Sequence, residues 1–435
     1  MDLLLDWVAT GAFHNSDEPY DAPKCHPNTR VAVLDEIMQW VSESGSTRDE
    51  FMLWLFGPAG AGKSAIAKNI AEIAASNDLL LGTFFFSRTD PTLNNKDRLI
   101  ATLAYQLALF IPHTRTHIED AIQQDPVIFK KNIQTQIDTL LIKPLQCIPV
   151  VPTRKLIILD GLDECNDTQA QVAILDVISH TFPKHNLPII FLVVSRPELD
   201  LVTSFNCSEP LKFTHRRLAL DDSYQPDDDI RLFFSDTFKR IRLSHPLKSN
   251  IPISWPTQEA LETLVKKASG QFIYAATVIR FVDSNRHQPS ARLNIILGIS
   301  PHGRINPFAE LDAVYNHIFS SVENIELTLR VLSLYVVTPN LAFNLRRFAC
   351  MSAEYFLSLE QGDVYTALID LPSIVSYDES SGEIKILHAS LGDFLSDQRR
   401  STIYYIDMSR AHTDFARRIF QCVNGPDGVR GVSAL

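Results

Sequence analysis

Residues Gly57, Pro58, Ala59, Gly60, Ala61, Gly62, Lys63 and Ser64 spell G-x-x-x-x-G-K-S, and no other segment constrains the fold so tightly. Three glycines let the backbone curl so that its N–H groups line a concave cradle for phosphate oxygens. Lys63 is placed to reach β- and γ-phosphates, and the Ser64 hydroxyl to join a Mg²⁺ shell. The flanks fit. The apolar run 51–56 is short enough for a buried strand. From Lys63 to Ala75, Ile66, Ile70 and Ile73 recur at helical spacing, so Ala65 falls in the first turn of a helix. The positive end of that helix faces the phosphates.

Further runs at 79–86, 156–159 and 189–194, with a weaker one at 211–218, alternate with helical patterns at 97–110, 128–145 and 168–182. Runs that are apolar throughout suit strands buried on both faces, hence a parallel sheet covered by helices. The expected fold class is α/β: a lead-in over 1–30, then a doubly wound P-loop domain over 31–219.

From 220 the pattern turns helical. Asp227, Asp228 and Asp229 precede Ile230, Phe233, Phe234 and Phe238, so the acids sit where a helix start favours negative charge. Patterns at 257–267 and 272–282 complete a small helical domain over 220–305. Others at 308–322, 325–337 and 352–358 lead to alternating segments at 373–377 and 383–388, joined by an Asp/Ser/Gly-containing turn. Helices followed by one hairpin describe a winged-helix domain over 306–400. Residues 401–435 are expected to form a tail, unstructured from Val423.

Charge excludes some partners. The net charge is −11, and residues 308–400 hold six Lys and Arg against thirteen Asp and Glu. An acidic module is a poor ligand for a phosphate backbone, so no nucleic-acid partner is expected. The six cysteines form no C-x-x-C pair, which argues against zinc and dense disulfides. No apolar stretch reaches the length of a membrane span, and Asp2 and Asp6 stand where a secretory signal needs base. The expected location is cytoplasmic.

The second half of a nucleotide site lies at Asp160, Gly161, Leu162, Asp163 and Glu164, after the run 156–159. A buried strand ending in Asp160 sets a carboxylate beside the phosphates, where it can hold Mg²⁺. Glu164 is the candidate for polarising a water that faces the γ-phosphate, with Asp163 supporting the metal. Arg196 follows the run 189–194, at the strand end where open α/β sheets bind ligands. It is the candidate for stabilising charge on the γ-phosphate; the alternative is a surface arginine paired with Glu198. Arg88 is a second candidate of that kind. Asn94, Asn95, Lys96 and Asp97 have the letters of a guanine-reading N-K-x-D in the wrong order, which favours ATP and ADP over GTP.

The phosphate loop, the D-G-L-D-E after one strand and the S-R-P at 195–197 together resemble the NACHT family of signal-transducing P-loop NTPases. Cys25 to Arg30 and Gly270 to Ala276 resemble matching segments of large fungal NOD-like proteins, and the likeness spans roughly residues 20–405. The resemblance implies ADP held between a nucleotide domain, a helical domain and a winged helix, with exchange leading to self-association. It also implies that a histidine near the end of the winged helix contacts the diphosphate. The segment Leu387 to Leu395 assigns that role to His388, whose alternative is a core residue. His26 and Arg30 are candidates for bordering the base. The family's N-terminal effector and C-terminal repeats have no counterpart here, leaving a truncated product, a fragment or a stand-alone regulator of longer relatives as alternatives. The rival functional reading is a P-loop turnover enzyme, either a kinase or a motor ATPase.

Overall fold

The computed structural model describes residues 1–16, 24–43, 50–88, 90–148, 154–185, 187–209, 211–298, 308–337, 353–378 and 383–424. They form two compact units, Met1–Pro226 and Asp227–Leu435.

The first unit is built on five parallel strands: β1 (Met52–Phe56), β2 (Leu80–Phe85), β3 (Lys155–Asp160), β4 (Ile189–Ser195) and β5 (His215–Ala219). Their spatial order is β2-β3-β4-β1-β5. Every residue of β2, β3 and β4 is buried, as runs without alternation require. Helices Lys63–Ser76, Leu99–Phe110 and Thr168–His185 flank the sheet, joining strands that run the same way. Strand β2 lies at an edge, and there the backbone of Thr83 is satisfied by a side chain. The Gln106 amide accepts from the Thr83 N–H at 2.9 Å and donates to the Thr83 carbonyl at 2.8 Å. The lead-in covers the same place, with the His14 N–H donating to Thr83 Oγ1 at 3.1 Å. The edge is thereby covered at Thr83, where another strand would otherwise pair.

Two local expectations shift. The weak run 211–218 divides into a short helix, Leu211–Thr214, and β5. Strand β5 begins at His215, opposite Met52, the first residue of β1. The single helix expected over 128–145 becomes a tight turn at Ile128–Lys130, a helix from Ile133, a widened turn over Asp138–Ile142 and a last helical piece, Lys143–Gln146. The Asn132 side chain caps the restart by accepting from the Thr135 N–H at 2.9 Å. Pro144 supplies no N–H, so the regular ladder is interrupted just before it.

Among the described residues, the second unit is helical around one hairpin. Helix Pro226–Ser244 opens with Asp227, Asp228 and Asp229 in its first turn, as expected. Gln258–Ala268, Phe272–Val282, Ala309–Ser320 and Ile325–Val337 follow. Strands β6 (Val375–Asp378) and β7 (Glu383–Ile386) pair antiparallel, Val375 against Ile386 and Asp378 against Glu383. The turn residues between them lie outside the described residues. One apolar core runs from Ile230 through Phe238, Tyr274, Phe319 and Phe394 to Phe415. It holds a buried ion pair in which Arg400 Nη2 lies 2.7 Å and Nε 3.1 Å from opposite oxygens of Asp312. The residues expected as a tail include a helix, Met408–Asn424. Met408, Ala411 and Phe415 share one face of it and pack on the core, which explains why it holds. Residues after 424 lie outside the described residues.

Candidate functional site

The motif residues 57–65 connect the end of β1 to the helix Lys63–Ser76. Gly57 meets the chain where β5 ends, and a Cβ there would lie 3.0 Å from the Leu220 Cβ. Gly60 and Gly62 hold left-handed backbone at φ 77° and 91°, a region that side chains disfavour. The Lys63 ammonium folds back along the loop and donates to the carbonyls of Gly57 and Pro58, both at 2.9 Å. Burial pushes its pKa down to about 8, against the opposing pull of Asp163, Asp160 and Glu164.

Asp160 ends β3 and is 3% exposed. Its carboxylate hydrogen-bonds the Ser64 side chain, while burial and the neighbouring Glu164 and Asp163 push its pKa up to about 7. Oδ1 of Asp160 is buried with no hydrogen-bond partner among the described residues. A hydroxyl beside an orphaned carboxylate oxygen is a hard-oxygen donor pair, the chemistry that suits Mg²⁺. Among the described residues, no group of three or more His, Cys, Asp and Glu could hold an ion unaided.

The next two acids come from the tight turn Leu162–Glu164 that follows β3. Asp163 faces the end of β4: one oxygen accepts from the Arg196 N–H at 2.9 Å, and the other lies 3.3 Å from Arg196 Nε. Arg196, weighed as a partner of Glu198, is thus engaged with Asp163. Glu164 faces the end of β2, where its Oε2 accepts from the Arg88 N–H at 3.0 Å. Its pKa is raised, chiefly by burial and then by Asp163. Residues expected around one nucleotide therefore gather at the C-terminal ends of four adjacent strands, β2, β3, β4 and β1.

Two candidates take places that spacing did not anticipate. Arg30, expected near the base, is buried, and its Nη2 donates to the Ala61 carbonyl of the phosphate loop at 2.9 Å. The carbonyl of His26 closes the turn before it, accepting from the N–H and Oγ1 of Thr29. An arginine ahead of a helix carries no sequence signal for that contact. His388, in the second unit, caps the helix Ala389–Ser396: its Nδ1 accepts from the Ser390 N–H at 3.0 Å. The Ser390 hydroxyl lies 2.9 Å from the same nitrogen and 2.8 Å from the Tyr315 hydroxyl. Because Nδ1 accepts, the ring proton of the neutral imidazole sits on Nε2.

Comparison with known proteins adds a partial match. Residues 31–196, less than half of the chain, match the family described as Nephrocystin 3, N-terminal. No curated protein matches. Among solved structures, the Walker-type ATPase of Pyrococcus abyssi is 12% identical, with 85% of this chain and 97% of that chain covered and a TM-score of 0.41. The Aeropyrum pernix ORC2 protein in its ADP form is 13% identical over 94% of this chain and 98% of that one, at a TM-score of 0.36. The Aeropyrum pernix ORC1 protein in complex with DNA is 14% identical over 88% and 96%, at 0.37.

Proposed function

We propose that this chain is a nucleotide-dependent switch of the NACHT type, binding ATP and ADP with Mg²⁺ and hydrolysing ATP slowly. One observation carries the reading. Lys63, the Ser64–Asp160 pair, Glu164 and the Asp163–Arg196 pair converge on one edge of a parallel sheet, at the mouth of a glycine-rich loop. In this reading the loop N–H groups and Lys63 hold the phosphates. Ser64 and Asp160 hold Mg²⁺, which would supply charge neutralisation on the phosphate oxygens.

Glu164, half-buried and with a raised pKa, is assigned to orient the attacking water. Arg196 is assigned to the charge that develops on the γ-phosphate, which requires it to exchange part of its Asp163 contact for the phosphate. The second unit is assigned as a helical and a winged-helix module whose His388 donates from Nε2 to a bound diphosphate. Release of that bond would open the protein and permit self-association.

The test is to purify the chain gently, identify any co-purifying nucleotide, and measure its mass in solution with ADP and with a non-hydrolysable ATP analogue. Bound ADP and a nucleotide-dependent change in mass are expected. Turnover at about 1–100 per second, the range of a kinase, would replace the switch by a turnover enzyme. Absence of any nucleotide affinity would end both readings.

A further inference from the structure

Residues 24–30 run beside the phosphate-loop helix and end on the loop itself. Lys24 pairs with Glu72 at 2.7 Å, and the Cys25 N–H donates to Asn69 Oδ1 at 3.2 Å. Asn69 and Glu72 are three residues apart on the helix Lys63–Ser76, so both attachments use one face. Asn28 and Arg30 then adopt left-handed backbone at φ 63° and 58° without being glycine. Such conformations persist where surrounding contacts enforce them. They accompany delivery of the guanidinium of Arg30, a residue only 4% exposed, to the Ala61 carbonyl.

We infer that Arg30 is a positioning residue for phosphate binding, acting through the peptide that joins Ala61 to Gly62. In a trans peptide the carbonyl and the N–H point in opposite directions. Holding the Ala61 carbonyl towards Arg30 therefore turns the Gly62 N–H away from Arg30, as a donor for a phosphate oxygen. A hydrogen bond to a charged donor is stronger than one between neutral groups, so it can fix that peptide against rotation before the ligand arrives. This inference rests on the nucleotide reading above and assigns Arg30 to the phosphates, where the sequence alone had placed it near the base.

The experiment compares binding of ADP and of pyrophosphate by the full chain, the Arg30→Met variant and the Arg30→Lys variant. Loss of one charged hydrogen bond should weaken both ligands by the same factor, about ten- to a hundredfold in Arg30→Met. Arg30→Lys, which keeps a cationic donor, should recover part of the loss for both. Weakening confined to ADP would overturn the inference and return Arg30 to the base. Should Arg30→Met fail to fold, glycine-selective ¹⁵N spectra of nucleotide-free wild type and Arg30→Lys decide the matter. The Gly62 amide should shift between them, and an unmoved Gly62 amide with unchanged pyrophosphate affinity would overturn the assignment. A wild-type chain that binds neither ligand would sink the nucleotide reading separately, and the Gly62 amide would still report whether Arg30 sets the peptide.

Discussion

Asp163 grips Arg196 twice, once through the backbone N–H at 2.9 Å and once through Nε at 3.3 Å, and so ties the turn after β3 to the end of β4. Asp163 is nearly inaccessible while Arg196 keeps a fifth of its side-chain surface, so the arginine faces the open side of the site. The pair should be energetically coupled. A double-mutant cycle with Asp163→Asn and Arg196→Ala, read by urea unfolding, should give a coupling of about 0.5–3 kcal/mol. Strict additivity would mean that the two side chains do not support each other.

Nucleotide binding should depend on pH from both sides. Lys63 has its pKa lowered to about 8 in the free protein, so its charge, and affinity for phosphates, should fall as pH rises through that value. Asp160 has its pKa raised to about 7, so a proton competes with Mg²⁺ below it. Affinity for MgADP should therefore peak between these values and decline at pH 6 and pH 9. For stability the sign is opposite at Asp160. A raised acid pKa favours the fold below about 4, and that contribution is lost as pH rises to 7. Added Mg²⁺ with nucleotide should restore it. An affinity profile flat from pH 6 to 9 would argue against both assignments, and Lys63→Ala should remove detectable binding at every pH.

Glu164→Gln keeps the hydrogen bond from the Arg88 N–H and removes the charge. Single-turnover hydrolysis should slow by about a hundredfold or more, while ATP remains bound. Hydrolysis at the wild-type rate would move the role of orienting water to Asp163.

The cap made by His388 and its proposed latch on a diphosphate are separable by mutation. As a cap it accepts from the Ser390 N–H, and losing it in His388→Ala should cost about 0.5–2 kcal/mol whatever the ligand. His388→Asn retains an acceptor suited to that cap but lacks a ring Nε2. If His388 latches the diphosphate, His388→Asn should leave the melting temperature near wild type and speed ADP release about ten- to a hundredfold. An ADP off-rate unchanged in both variants would confine His388 to the cap.

Local order made the phosphate loop legible, because its strand, turn and helix are contiguous and each obeys its own period. The strand-terminal charged residues were legible for the same reason: an apolar run followed by Asp160 or by Arg196 announces a buried strand and the residue at its end. What contacts what was not legible. Ser64 meets Asp160 only because the sheet runs in the order β3-β4-β1, which brings together segments far apart in the chain. Arg196 stands against Asp163 because the strands bearing them are neighbours in the same register, Asp160 opposite Val194.

The start of β5 and the helix Met408–Asn424 also depended on partners that no local window contains. Arg30 is the clearest case. Its sequence neighbourhood predicts only a turn and a helix start, yet burial beside the loop makes its guanidinium a support for Ala61. By itself the sequence determined which groups the site could use, since residue type and local period are properties of the chain. Tertiary structure decided their pairing and their protonation. Hydrogen-bond partners, desolvation and Coulomb fields arise only when distant segments pack together and exclude water.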